Sequence, residues 1–324
     1  MAISRRVAGI AALLAGCITG SVQAQVQTYP YKPVRVIFPF AAGGAGDIIA
    51  RTYGQKFSEK FGQPWVLENR AGAGSTIGAD AVAKSAPDGY TLLLGTLTFA
   101  VSAATYKKLP YDPIKDFTAV APLGMAVSLL AVTPTLEAKS VKELIALAKA
   151  QPGKLTFASA GQGSTGHLSG ELFMRMAGIE MLHVPYQGTG AAMNDLFAGR
   201  SNMIFEPMAT MYPNVRSGKM RALAVTTAKR SQAAPDIPTL VEQGVAGYDV
   251  ATWYGIMGPG GVPSAIVDKL NVALLEFVAN AEVKEKMASL GVEQLSMTPA
   301  EFAQRIRSDI NRWSEVAKAA NVSF

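Results

Sequence analysis

"LTFASAGQGSTGHLSGELF", residues 155–173, is the stretch on which the reading of this chain turns. An apolar run, 155–160, leads into glycines at 161, 163 and 166, and a helix-period segment follows over 164–177. Gly161, Gly163 and Gly166 match G-x-G-x-x-G. A dinucleotide site needs that motif followed, about 20 residues on, by an acid at the end of the next strand, where it takes the ribose. The next strand is "MLHVPY" (181–186). Glu180 precedes it, and its far end carries Tyr186 and Gln187. The context excludes a dinucleotide, and no cofactor is expected. The physics beneath the motif survives: free backbone N–H groups and the helix macrodipole at Ser164 and Thr165 favour an anion, and glycines permit close backbone approach.

The same arrangement occurs upstream. "VRVIFPF" (34–40) reads as a strand, "AAGGAG" (41–46) as a glycine loop, and the segment from Asp47 as a helix with Ile49, Tyr53, Phe57 and Phe61 at i, i+4 spacing. Two strand–glycine loop–helix units facing each other would hold one anion from both sides.

Strand and helix patterns alternate along the whole chain. "PWVLENR" (64–70), the helical "ADAVAKSA" (79–86) and "TLLLGT" (91–96) complete a first set. A nearly continuous apolar run spans 118–134. A second set comprises a helix over 140–151, the strand and helix of the opening stretch, "MLHVPY", a helix near 190–199, "SNMIFEP" (201–207) and "MRALAVTT" (220–227). "YDVATWYGIMGP" (248–259) is another long apolar run, and 263–319 reads as several helices, the last amphipathic. Such alternation implies sheets covered by helices. Two sets joined by two crossing runs imply two α/β lobes with a cleft between them. The expected boundaries are a signal peptide 1–24, a discontinuous first domain 25–125 and 250–324, and a second domain 126–249.

The 324 residues are 49% hydrophobic and 17% charged, which suits a full core and excludes a disordered chain. Arg5 and Arg6, the apolar "VAGIAALLAG" and "VQA" before Gln25 read as an export signal. A rival reading takes "LAGC" (14–17) as a lipobox, with Cys17 lipidated and the protein anchored to a membrane. The polar residues between Cys17 and Gln25 favour cleavage after Ala24 and a periplasmic protein. Cys17 is the chain's single cysteine, so no disulfide within the chain is expected. Losing Arg5 and Arg6 leaves 28 basic against 24 acidic residues and lowers the formal charge from +6 to +4. The basic residues form no concentrated footprint, and nucleic acid is not an expected partner.

Individual residues divide between pocket and scaffold. Asp47 reads first as a helix cap and secondarily as a residue that orders its loop or meets a ligand amine. His167, on the first turn after the loop, suits either a ligand carboxylate or a structural hydrogen bond, while His183 lies in an apolar strand and reads as structure. Neither histidine has neighbours at metal-ligand spacing, so no metal site is expected. Glu206 ends a strand on the cleft side, where a carboxylate can read an amine or hydroxyl. No nucleophile elbow, P-loop or H-E-x-x-H sequence is present, which argues for a binder and against catalysis.

Together, "YPYKPVRVIFPFAAGGAGDIIAR", "VLENRAGAGSTIGADAVAKSAPDGYTLLLG", "LPYDPIKDF", "AQPGKLTFASAGQGSTGHLSGELF", "HVPYQGTGAAMNDLFAGR", "RALAVTT" and "PDIPTLVEQG" resemble the Bug (TctC-type) family of periplasmic solute-binding proteins from tripartite tricarboxylate transporters. The resemblance runs from Tyr29 to the C-terminus. It implies an α/β, two-lobed type II periplasmic-binding-protein fold with a ligand cleft between two α/β domains. It also implies a small carboxylate ligand (a di- or tricarboxylate, an acidic amino acid or an aromatic acid) and membrane transporter subunits as partners. We expect a monomer.

Carried over by position, the family's first binding loop falls on Phe40, Ala41, Ala42, Gly43 and Gly44 with Asp47. The second falls on Ser159, Ala160, Gly161, Gly163 and Ser164, followed by Thr165 and His167. Thr96 with Thr98, and Gly188 with Thr189, sit where the family lines its pocket. The family often has proline where this chain has Ala42, a departure that bears on loop rigidity. Two other classes of function stay open on sequence alone: a sensor component docking a receptor, and an exported enzyme acting on a carboxylate.

Overall fold

Every residue of β1 (Val34–Phe38) except Arg35 is buried, as expected of a strand covered on both faces. The computed structural model describes residues 29–40, 42, 45–186 and 189–323. The expected signal peptide with Cys17, and also Ala41, Gly43, Gly44 and Gly188, lie outside the described residues.

β1 pairs in parallel with β2 (Trp65–Asn69) and β3 (Thr91–Thr96). Helix α1 (Ala45–Phe61) connects β1 to β2, and α2 (Thr76–Ala83) lies between β2 and β3. The i, i+4 face of α1 is driven inward, with Ile49, Tyr53 and Phe57 all at 0% exposure, and the Tyr53 hydroxyl donates to Leu123 O at 2.7 Å. The second lobe repeats the plan. β5 (Thr156–Ser159) pairs in parallel with β6 (Leu182–Pro185) and β7 (Met203–Pro207). Helices α5 (Thr165–Ala177) and α6 (Thr189–Phe197) connect these strands, and α7 (Met208–Arg216) leads on to β8 (Arg221–Val225).

β4 (Phe117–Val132) joins the lobes. Its first part is antiparallel to β9 (Ala251–Pro259), ending with Val127 opposite Ala251. From Ser128 it pairs instead with β7, and from Leu129 also with β8. The two sheets foreseen from the sequence thus share one strand, giving the order β2-β1-β3-β9-β4-β7-β5-β6. At the handover Thr226 N donates to Ser128 O at 3.0 Å and Val250 N to Thr226 O at 2.9 Å, which places both chain crossings side by side.

Two helices have no counterpart in the sequence pattern, α3 (Leu97–Thr105) and α7, while α4 (Val141–Ala150) forms over the helical segment 140–151. The C-terminal segment folds as α8 (Ser264–Ala279), α9 (Ala281–Ser289), a short β10 (Val292–Glu293) and α10 (Pro299–Ala319). α10 starts with a capping box between Thr298 and Glu301 and Pro299 in its first turn.

The core is unequal on the two faces of this sheet. One side carries two separate clusters, around Ile49, Tyr53 and Phe57 in the first lobe and around Leu129, Leu196 and Met211 in the second. The other side carries a single cluster running through both lobes, from Phe99 and Trp253 to Phe157 and Phe173, with Phe302 and Trp313 of α10 in it. α10 is tied to the second crossing: Trp253 Nε1 and Arg305 Nε both donate to the buried Asp309, at 3.0 and 2.9 Å, and Arg312 donates to Asp249 O. Its residues Val316 and Ala317 share that cluster with Leu172 and Phe173 of α5, so this helix packs on both lobes.

Candidate functional site

The parallel strands of both lobes point their C-terminal ends at one cleft, the position where open α/β sheets take ligands. A cavity of about 270 Å³ lies there, lined by Phe40, Thr98, Ser128, Ala160, Ser164, Thr165, Gly166, Ser169, Thr189, Phe205, Glu206, Pro207 and Thr252. A larger groove, about 490 Å³, runs between α5 and α10 past Met174, Ile179 and Ala320. It faces the C-terminal, carbonyl ends of those helices, whereas the cleft faces helix starts. The anion-binding chemistry therefore belongs to the smaller cavity.

Among the described residues four helices begin at that cavity. Thr98 lies in the first turn of α3, whose cap is Thr96: the Thr96 hydroxyl accepts from Thr98 N at 3.2 Å and is itself buried. Ser164 caps α5, accepting from His167 N at 3.3 Å, and Thr165 and Gly166 form the first turn. Thr189 opens α6 and Pro207 precedes α7. Each start presents first-turn N–H groups that lack an intrahelical backbone acceptor, and the positive end of a dipole. Among the described residues no lysine or arginine lines the cavity. Its positive character comes from backbone, supplemented by hydroxyls of Thr98, Ser128, Ser164, Thr165, Ser169, Thr189 and Thr252.

Gly166 illustrates why the helix can come so close. A Cβ there would sit 2.8 Å from Phe205 O, so any larger residue would push α5 off β7. Gly163 has φ 73, in the left-handed region that favours glycine, and its N–H donates to His167 Nδ1 at 3.0 Å. That amide turns away from the cleft to brace the loop from behind.

The sequence-derived residues separate into two layers. Phe40, Thr98, Ala160, Ser164, Thr165, Thr189 and Glu206 come together at the cavity. Ser159, Gly161, Gly163 and His167 form a support behind it. The Ser159 hydroxyl accepts from Gly161 N at 3.1 Å and lies 2.7 Å from His183 Nε2. His167 and His183 stack with ring centroids 3.8 Å apart, and burial followed by the neighbouring His167 depresses the His183 pKa to about 4. His167 is 2% exposed and is not among the cavity-lining residues; its Nδ1 takes the structural hydrogen bond from Gly163 N.

Asp47 also sits behind the site. α1 starts at Ala45, so Asp47 is a first-turn residue and not the cap expected of it. Its buried carboxylate accepts from Arg51 Nε at 3.0 Å and from Asn69 Nδ2 at 3.1 Å, and Asn69 Nδ2 reaches Phe40 O at 3.1 Å as well. Asp47 and Asn69 thereby tie α1 and β2 to the end of the first loop. Ala42 is exposed.

Glu206 is the one titratable side chain among the described lining residues. It is 8% exposed and accepts from the Thr189 hydroxyl at 3.2 Å. Burial raises its pKa to about 7, with the Thr189 hydrogen bond a smaller opposing influence.

Sequence reasoning missed Ser128, Gly166, Ser169, Phe205, Pro207 and Thr252. Gly166 stands in the glycine motif already quoted, and Pro207 follows Glu206 directly. Ser128 and Thr252 lie inside apolar runs, where nothing local marks a residue as facing a cleft. Among the described residues no group of three or more His, Cys, Asp or Glu could hold a metal, and no helix is long and apolar enough to cross a membrane.

Two α/β lobes sharing crossing strands, with a cavity of helix starts between them, define a solute-binding protein. The sequence profile of the tripartite tricarboxylate transporter family receptor matches residues 49–322, and the chain belongs to that family. It is 37% identical to the protein BugT of Bordetella pertussis over 293 residues, 90% of each chain. Among solved structures, Rpa4515 of R. palustris, determined with adipate, is 36% identical with TM-score 0.79, covering 91% of this chain and 99% of its own. MatC of Rhodopseudomonas palustris, with bound malate, is 34% identical with TM-score 0.75, covering 89% and 99%. The fold is accordingly the two-lobed periplasmic-binding-protein type, and the chain is a receptor and not an enzyme.

Proposed function

We propose that this receptor captures a small carboxylate in the cleft and delivers it to the membrane subunits of a tripartite tricarboxylate-type transporter. The observation that carries this reading is the convergence of four helix starts on a cavity without a cationic side chain among its described residues. Such a cavity offers a carboxylate several charge-assisted hydrogen bonds, each contributing roughly 1.5–3 kcal/mol. Adipate in Rpa4515 and malate in MatC are ligands of the same chemistry and support the assignment.

The ligand works as a clasp. Thr98 and Phe40 belong to the first lobe, Ser164, Thr165 and Thr189 to the second, so one bound carboxylate favours the closed arrangement and shifts a hinge equilibrium. The hinge lies at the paired crossings near 125–128 and 249–252, dividing 25–125 with 250–324 from 126–249. The closed form is what the membrane partners recognise. The protein acts in the periplasm as a monomer, after cleavage behind Ala24.

A thermal-shift screen of the protein beginning at Gln25 tests this. At least one small mono-, di- or tricarboxylate is expected to raise the melting temperature, since a ligand at 100 times its Kd stabilises by about 2.7 kcal/mol, while NAD and ATP leave it unchanged. A shift with NAD as large as with the best acid overturns the reading. Intact mass checks the export step: an acyl-glyceryl adduct on Cys17 would replace cleavage after Ala24 by lipid anchoring.

A further inference from the structure

The cavity contains a carboxylate of its own, and this constrains the ligand beyond its being an acid. Glu206 stands next to the end of β7, nine-tenths enclosed, with Thr189 as its one hydrogen-bond partner among the described residues. No salt bridge involving it is found among the described residues, and no lysine or arginine shares the lining. A buried acid without a cation is an incomplete arrangement, because ionised it lacks a counter-charge and protonated it lacks a fixed acceptor. Thr189 belongs to one of the helix starts that the ligand is proposed to use, so Glu206 and the ligand meet at the same end of the cavity.

We propose that Glu206 is the specificity-determining residue of this cavity: it pairs with a hydroxyl or ammonium on the ligand and disfavours a second carboxylate unless a proton is shared between the two acids. This rests on the reading of the cleft as a carboxylate site. Two carboxylates held at hydrogen-bond distance cannot both ionise cheaply, whereas a hydroxyl or ammonium donates to Glu206 and supplies its missing partner. The ligand class that follows is a short acid with one carboxylate at the starts of α3 and α5 and a hydrogen-bond donor beside Glu206 at the start of α6. A dicarboxylate enters only with a proton.

Calorimetry on wild type and Glu206→Gln at pH 8 tests this with two matched series of acids. The first is succinate, γ-hydroxybutyrate and γ-aminobutyrate; the second is adipate with its hydroxy and amino counterparts. Wild type is expected to bind the hydroxy or amino member about tenfold or more tighter than the dicarboxylate of the same length. Glu206→Gln, which keeps the shape and adds donors, is expected to strengthen the dicarboxylate and weaken the amino acid, inverting the order. Equal changes for all members, or none, would overturn the role of Glu206 while leaving the carboxylate site intact. Failure of every acid to bind either protein would overturn the proposed function first, and this inference with it. A substitution that merely loosened the fold would weaken all members together, so the inverted preference is the diagnostic result.

Discussion

The two walls of the cleft are built alike and equipped differently. Both are ends of parallel strands leading into helices, yet among the described residues the second lobe supplies Ala160, Ser164, Thr165, Gly166, Ser169, Thr189, Phe205, Glu206 and Pro207, the first supplies Phe40 and Thr98, and Ser128 and Thr252 lie at the crossings. Behind the second wall the loop is braced: Gly163 to His167, Ser159 to Gly161 and His183. Behind the first, Asn69 donates to the Phe40 carbonyl and to Asp47. The difference teaches how a two-lobed receptor divides labour. Among the described residues the second wall holds three helix starts, from α5, α6 and α7, and on the proposed function it receives the anion first. On the same reading the first wall completes the enclosure on closing.

Breaking the second wall is expected to have the largest effect. Gly163→Val places a β-branched residue at φ 73 and displaces the amide that donates to His167. Ligand binding should fall at least about a hundredfold, near 3 kcal/mol, with part of it from strain of about 1–3 kcal/mol. Calorimetry with the best acid from the screen measures it, and wild-type affinity would show that the loop conformation is irrelevant.

The next effect is on stability and depends on pH. The Glu206 pKa rises from 4.5 to about 7 on folding, so the folded protein binds more protons between those values and stability declines as pH rises through that window. The His183 pKa falls from 6.5 to about 4, so the unfolded chain binds more protons there and stability is lost as pH falls through that window. Between pH 4.5 and 6.5 the two slopes oppose each other. Glu206→Gln removes one of them. The variant should be about 2–3 kcal/mol more stable than wild type at pH 8, with the gain vanishing below pH 4.5. Melting across that range checks it, and a pH-independent difference would mean that Glu206 is not raised.

Ser164→Ala sharpens the comparison further. It removes the α5 cap, which costs about 1 kcal/mol of stability, and it costs about 1–2 kcal/mol of binding if the hydroxyl also meets the ligand. Melting and calorimetry on one sample separate the two. Thr98→Ala, on the first wall, is expected to be smallest, about 1 kcal/mol of binding with melting nearly unchanged, because Thr96 still caps α3. If Thr98→Ala weakens binding more than Ser164→Ala does, the ranking of the walls is reversed.

Much of this architecture is visible along the chain. Ile49, Tyr53 and Phe57 announce the buried face of α1 by spacing, and the nearly continuous apolar run over 118–134 announces the crossing that β4 makes between the lobes. The α3 and α7 helices were harder to see. β3 passes into α3 at Thr96 with no polar linker, so strand and helix merge into one apolar segment. α7 starts after Pro207 and contains Pro213, a residue that ordinarily argues against a helix.

What the sequence by itself determined is whatever depends on neighbours in the chain. The period of a helix face, the cap at Ser164, the glycine at 163 and the mismatch of 155–186 with a dinucleotide site are all local, because φ, ψ and hydrogen bonds within a few residues govern them. What only the tertiary structure decided is which side of each residue meets the cleft. Asp47 finds Asn69 across 22 positions, Trp253 finds Asp309 across 56, and Thr226 finds Ser128 across 98. Glu206 and His167 were both plausible ligand contacts along the chain. Packing turned His167 onto His183 and left Glu206 at the cavity without a cation among the described lining residues. Burial, and through it the cost of charge, is a property of surroundings contributed by distant segments, so it exists only once the lobes have folded together.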